Sequence, residues 1–248
     1  MRNFCELVSK NLGYAIGFLV IIAMMFVIAI LIEKFSEKKI KASEGDTKSP
    51  TTAYTRKIVV IGMLSAVARI LMLLEIPMPF APGFYKLDFS EIAPLVGGFA
   101  FGPVAAVTIE FIKILLKLIT GGSSTAMVGE LANFTVGCSF VLPAVSVYSF
   151  KKTKSGALKG LIAGTATMTV FGTAFNALYL LPAFAALYKM PLEAILEMGE
   201  KVNPFAGHGN IVSFVIACVA PLNLIKGTSV SILTLLIYKK ISPIMKGR

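Results

Sequence analysis

The chain has 248 residues, 56% of them hydrophobic and only 15% charged, with a mean hydropathy of +0.81. Soluble domains carry about 25% charged residues, so this balance excludes them and indicates an integral membrane protein. The formal net charge of +11 would suit a nucleic-acid partner if it were gathered on one surface, but 15 of the 24 Lys and Arg lie in three short segments. These are the linker with Lys34, Lys38, Lys39, Lys41, Lys48, Arg56 and Lys57, the loop with Lys151, Lys152, Lys154 and Lys159, and the tail with Lys239, Lys240, Lys246 and Arg248. That is how cytoplasmic segments look under the positive-inside rule.

In chain order, Asn11 to Ile32 is a continuous uncharged segment long enough to span a hydrocarbon core. With no A-x-A cleavage site it reads as an anchor helix rather than a signal peptide. Glu33 to Lys57, rich in charge and including Pro50, reads as a solvated linker, partly disordered. The expected organisation is an anchor over 1–32, a charged cytoplasmic linker over 33–56 and a membrane core over 57–248. "KIVVIGMLSAVARILMLLEIPMPF" is the first core helix, ended by Pro77 and Pro79. In the following loop Asp88 and Glu91 have capping-box spacing. "IAPLVGGFAFG" is a short second span, "PVAAVTIEFIKILLKLIT" a third and "VGELANFTVGCSFVLPAVSVYSF" a fourth. "ALKGLIAGTATMTVFGTAFNALYLLPAFAALY" is a long fifth, and the sixth carries Asn223 and Lys226. The expected fold is therefore an all-α integral membrane protein with a six-helix core and one extra N-terminal transmembrane helix. Strand alternation is absent, which excludes a β-barrel. Placing the three basic segments inside puts Met1 outside and the C-terminus in the cytoplasm.

Cys5, Cys138 and Cys218 are far apart, and His208 is the only histidine. A zinc site needs about four clustered ligands, so no Cys/His metal centre is expected. The informative residues are polar groups within the spans. Asn223 and Lys226, three apart, share a helix face, between Pro221 and Gly227. Lys226 lies too deep to snorkel easily, and a charge there marks a polar ligand site or a wet cavity. Proline and glycine beside it suit the distorted helices on which transporters build binding sites. Glu110, Lys113, Lys117 and Glu130 are read as pairing across a helical hairpin or snorkelling, with Arg69 balancing Glu75 or Glu91. Gly62 and Ala66 form a small-xxx-small pair on the first core helix.

"FYKLDFSEIAPLVGGFAFGP", "GELANF", "FNALYLLP" and "PLNLIKG" together resemble the riboflavin-specific S component of energy-coupling factor (ECF) transporters. The resemblance covers about Lys57 to Lys240. It implies a non-enzymatic substrate-capture subunit in a prokaryotic cell membrane, with an outward-facing vitamin pocket. Riboflavin would be the transported ligand rather than a cofactor. Substrate contacts are implied at Tyr85, Lys86, Leu87, Asp88, Asn176, Tyr179, Asn223 and Lys226, and a partner interface at Gly62 and Ala66. The implied partners are a membrane-embedded coupling protein and two ATP-binding subunits. The chain itself has no G-x-x-x-x-G-K-[ST] phosphate loop. The nearest alternative is an S component for another vitamin or flavin analogue. An intramembrane enzyme would need a nucleophile and base, a carboxylate pair or clustered metal ligands within the spans. A stand-alone secondary transporter would show repeated halves, and no such repeat is found in the sequence.

Overall fold

The computed structural model describes residues 12–44, 51–123, 125–207 and 209–246. Cys5, Asn11, Pro50 and His208 lie outside these ranges. Helix α1 (Leu12–Glu44) is 33 residues long, roughly 50 Å at 1.5 Å per residue. It therefore runs through the first half of the expected linker. The segment "EKFSEKKIKASE" is charged, but Lys and Glu are good helix formers and no Pro or Gly interrupts it. Polarity alone did not unwind this stretch.

Helix α2 (Thr51–Leu73) stops four residues before Pro77, and the chain folds back as a hairpin. Its strands are β1 (Ile76–Pro77) and β2 (Lys86–Leu87), antiparallel, with Ile76 opposite Leu87 and Pro77 opposite Lys86. Helix α3 (Ile92–Phe101) has ten residues, about 15 Å, half the thickness of a hydrocarbon core. Ile92 to Phe99 are all buried, so this short second element ends inside the protein rather than in lipid. Helices α4 (Pro103–Gly121) and α5 (Val128–Phe150) follow. Next comes a rod made of α6 (Lys154–Phe175), one π turn (Asn176–Leu180) and α7 (Leu181–Tyr188). The short α8 (Leu192–Val202) leads to the final rod, made of α9 (Ile211–Phe214), a second π turn (Val215–Val219) and α10 (Ala220–Lys246).

Among the described residues, four stretches are long and apolar enough to cross a membrane: Ile16–Lys38, Val128–Phe150, Lys154–Tyr188 and Ile211–Tyr238. Helices α2 and α4 have the length, at 23 and 19 residues, but carry charges such as Arg69, Glu110 and Lys113. In α4 two of those charges are fully buried in the protein, where other side chains can satisfy them.

The core centres on α5 and α6, where Leu95, Phe99, Phe140, Val145, Leu161, Met168 and Val230 interlock. A Cβ at Gly160 or Gly164 would collide with the backbone carbonyls of Ala144 and Phe140. These two glycines let the helices approach backbone to backbone, as small-xxx-small pairs do in lipid. Helix α1 lies on α4 and α5, burying Phe18, Met25 and Ala29 in a cluster with Val107, Leu131 and Phe134. Rings meet edge to face, with centroids 6.1 Å apart for Phe18 and Phe134 and 6.0 Å for Phe26 and Phe111. At its other end the Glu33 carboxylate accepts the Val104 N–H at 2.9 Å, at the start of α4. That places a negative charge at a helix N-terminus, and Lys57 of α2 lies 3.7 Å from the same carboxylate.

Candidate functional site

The two π turns touch each other, and the second lies one turn before Pro221, near which the sequence anticipated a disturbed helix. A π turn inserts one extra residue into the helical ladder and commonly marks a functional site. The first begins at Asn176. Its side-chain nitrogen donates to the Gly172 carbonyl at 2.8 Å, and its oxygen accepts the Tyr85 hydroxyl, also at 2.8 Å. Gly172 also faces Asn223, whose amide nitrogen would lie 2.6 Å from a Cβ at that position. One turn along α10 from Asn223, the Lys226 ammonium donates to Asp88 Oδ2 at 2.9 Å. Tyr85, Asn176, Asn223, Lys226 and Asp88 thus form a ring that begins and ends in the segment between α2 and α3. Of the other residues read from the sequence, Leu87 is buried beside Asp88. Lys86 instead points outward, pairing with Glu75 at 2.6 Å. Tyr179 stacks on Phe175 with centroids 5.3 Å apart and packs against Val128, Leu180 and Ala183.

Lys226 does not face an empty space. It lies 3.0 Å from Glu91 Oε1 as well as 2.9 Å from Asp88, and Glu91 is 3.5 Å from Lys113. Lys113 in turn pairs with Glu110 at 2.6 Å and donates to Ser90 Oγ at 3.0 Å. Glu91, Glu110 and Lys113 are all exposed by 1% or less. Burial alone would raise the Asp88 carboxyl, but the Lys226 and Lys113 ammonium groups and a hydrogen bond from Ser90 hold it well below the usual carboxylate range. The capping box expected of Asp88 and Glu91 does not form. Asp88 Oδ1 accepts the Ser90 N–H at 2.9 Å, and Glu91, at the N-cap of α3, makes no side-chain cap because its carboxylate is turned to the lysines.

Other charges are also partnered differently from the sequence expectation. Arg69 balances neither Glu75 nor Glu91, and its Nε donates to Thr120 Oγ1 at 3.0 Å. Glu75 is taken by Lys86 and Glu91 by two lysines, both nearer in the fold. Lys117 does pair with Glu130 across the α4–α5 hairpin, at 2.9 Å. A cavity of about 210 Å³ beside that pair is lined by Arg69, Met72, Leu73, Glu75, Lys117, Gly121, Gly122 and Glu130. It is separate from the ring.

One member of the ring is incomplete. The Asn223 amide nitrogen is buried with no hydrogen-bond partner among the described residues, a condition that costs free energy unless something pairs with it. The sequence located Asn223 and Lys226 by their depth and spacing. It missed Glu91, Glu110 and Lys113 as their neighbours, although the i, i+3 pairs Asp88–Glu91 and Glu110–Lys113 in an apolar chain were the available signal.

Residues 56–238 match the family model described as ECF transporter, substrate-specific component. The chain is 33% identical to the riboflavin transporter FmnP of Bacillus subtilis over 189 residues, covering 76% of this chain and 93% of that protein. It is 32% identical to the riboflavin transporter RibU of Staphylococcus aureus over 191 residues, covering 77% and 93%. The solved S component of a bacterial ECF transporter superposes with a TM-score of 0.60 at 33% identity, covering 78% of this chain and 99% of that one. The helical membrane fold and these matches agree, and the chain belongs to the family of ECF transporter substrate-specific components.

Proposed function

We propose that this chain binds riboflavin at the ring of Tyr85, Asp88, Asn176, Asn223 and Lys226, and delivers it to an ECF coupling module. The unpartnered Asn223 amide, one helical turn from a lysine, is the observation that carries this reading. Amide and ammonium donors suit the carbonyl oxygens and ring nitrogens of a flavin, and amide and carboxylate oxygens suit its ribityl hydroxyls. The adjoining apolar surface of Leu87, Phe214, Val215 and Leu181 would cover the ring face. Riboflavin entry exchanges the Tyr85–Asn176 bond for bonds to the ligand, and the segment between β1 and β2 carries Tyr85 aside as it does so, while Asp88 stays paired with Lys226. The riboflavin relatives supply the ligand's identity, and the carry-over rests on 32–33% identity. Titrating the purified protein with riboflavin should quench flavin fluorescence to saturation at one flavin per chain. Saturable binding of another vitamin with no response to flavin would favour the alternative S-component reading.

In this reading ATP is hydrolysed by separate subunits, and a membrane coupling protein joins them to this chain. The N-terminus is outside, with Glu33–Arg56 and the C-terminus in the cytoplasm. The 15 basic residues of the three segments support this orientation. In a cysteine-free background, Gly45→Cys should resist an impermeant thiol reagent in intact cells and react once the membrane is opened. Labelling in intact cells would reverse the topology.

Helix α1 lies outside the family match, which starts at residue 56, and it packs chiefly on α4 and α5. A protein starting at Thr52 should therefore retain riboflavin affinity to within about threefold, because lipid replaces most of the apolar cover that α1 provides. Loss of binding in a well-folded truncated protein would assign α1 a part in the site.

A further inference from the structure

We infer that Glu91, Lys113 and Glu110 are positioning residues that hold the Lys226 ammonium in place for the ligand. This rests on the riboflavin reading above. The contacts form a closed circuit across three elements. Lys226 of α10 binds Glu91 Oε1 at 3.0 Å, and the same oxygen lies 3.5 Å from Lys113 of α4. Lys113 donates to Ser90 Oγ at 3.0 Å. The Ser90 N–H donates to Asp88 Oδ1 at 2.9 Å, and Asp88 Oδ2 returns to Lys226 at 2.9 Å. Glu110 clamps Lys113 from its own helix at 2.6 Å.

The members differ in how far they reach toward the ring. Lys226 retains 9% exposure and Asp88 5%, whereas Glu91, Glu110 and Lys113 have 1% or less. The inner three are positioned to act through Lys226 and Asp88 rather than to touch the ligand. A lysine ammonium sits on a flexible four-carbon stem. Fixing it before the ligand arrives reduces the ordering that binding would otherwise require. The circuit also spans loop, α4 and α10, so it fixes the distance between Asp88 and Asn223 across the ring.

Removing Lys113 alone would strand the buried Glu110 carboxylate, so the test removes one charge of each sign. The Glu110→Gln, Lys113→Met pair should unfold near the native temperature, bind riboflavin about tenfold more weakly and shift the visible band of the bound flavin. Adding Lys226→Met should then cost at least about threefold less affinity than it does in the native protein, because contacting residues couple. If the pair variant loses its fold, the near-isosteric Glu91→Gln enters the same cycle with the same two outcomes. An equal cost of Lys226→Met in both backgrounds would overturn the positioning role alone. A native protein that binds no flavin would overturn the functional reading, and this inference with it.

Discussion

Replacing Lys226 with methionine is expected to weaken riboflavin binding by roughly tenfold to several-hundredfold, with Asn223→Ala similar. Methionine keeps the apolar stem of the lysine and removes only its charge and donors. The structure adds a second consequence, because Lys226 is the ion partner of Asp88 and Glu91 at 2.9 and 3.0 Å. Losing it leaves two buried carboxylates undercompensated, and breaking a buried pair from one side typically costs about 3–5 kcal/mol of stability. Stability and affinity should therefore fall together in Lys226→Met. Combining it with Asp88→Asn removes one orphaned charge while Glu91 keeps Lys113. The double variant should recover much of the stability and none of the affinity. Native affinity in a well-folded Lys226→Met protein would remove the lysine from the ligand contacts.

The second large effect is expected at α2. Gly62 and Ala66 are both exposed, and a Cβ built at Gly62 meets nothing within 4 Å. A leucine at either position would disturb no packing inside this chain, so its effect would fall on whatever approaches that face. Small residues there allow a partner helix to come close in lipid. Gly62→Leu or Ala66→Leu should abolish riboflavin uptake in cells supplied with the coupling module while leaving flavin binding by the isolated chain unchanged. Loss of binding and of transport together would instead place these residues in the support of the site.

Much of the fold was legible because lipid imposes a simple constraint: backbone polar groups must be satisfied within helices. The long apolar runs that became α5, the α6–α7 rod and the α9–α10 rod could be read directly. The two departures in the helices near the N-terminus have distinct physical causes. The charged residues after Ile32 lowered the hydropathy without supplying a helix stop, so α1 continued to Glu44. Pro77 marked the end of α2 only approximately, because a residue preceding proline leaves the helical region and the β1–β2 hairpin needed the residues before it.

The candidate site was legible in part, for a related reason. Helical spacing alone put Asn223 and Lys226 on one face, and Pro221 suggested a local distortion, which the structure places one turn earlier at Val215–Val219. Spacing could not reveal that Asp88, 138 residues away, returns to Lys226. Nor could it show that Glu91 is shared between two lysines. Those partnerships depend on where α3 ends up between α4 and α10, and a ten-residue apolar helix, buried from Ile92 to Phe99, gives little sequence signal for that. Lys86 and Tyr179 illustrate the reverse case. They adjoin informative residues in the sequence, yet β2 turns Lys86 outward to Glu75 and the π turn carries Tyr179 onto Phe175.

The visible absorption spectrum of the protein, purified from cells grown with riboflavin, tests the central claim most directly. The account expects flavin bands near stoichiometric with the chain, absent from Lys226→Met purified in parallel. A native protein free of flavin that also fails to take up added riboflavin would contradict it.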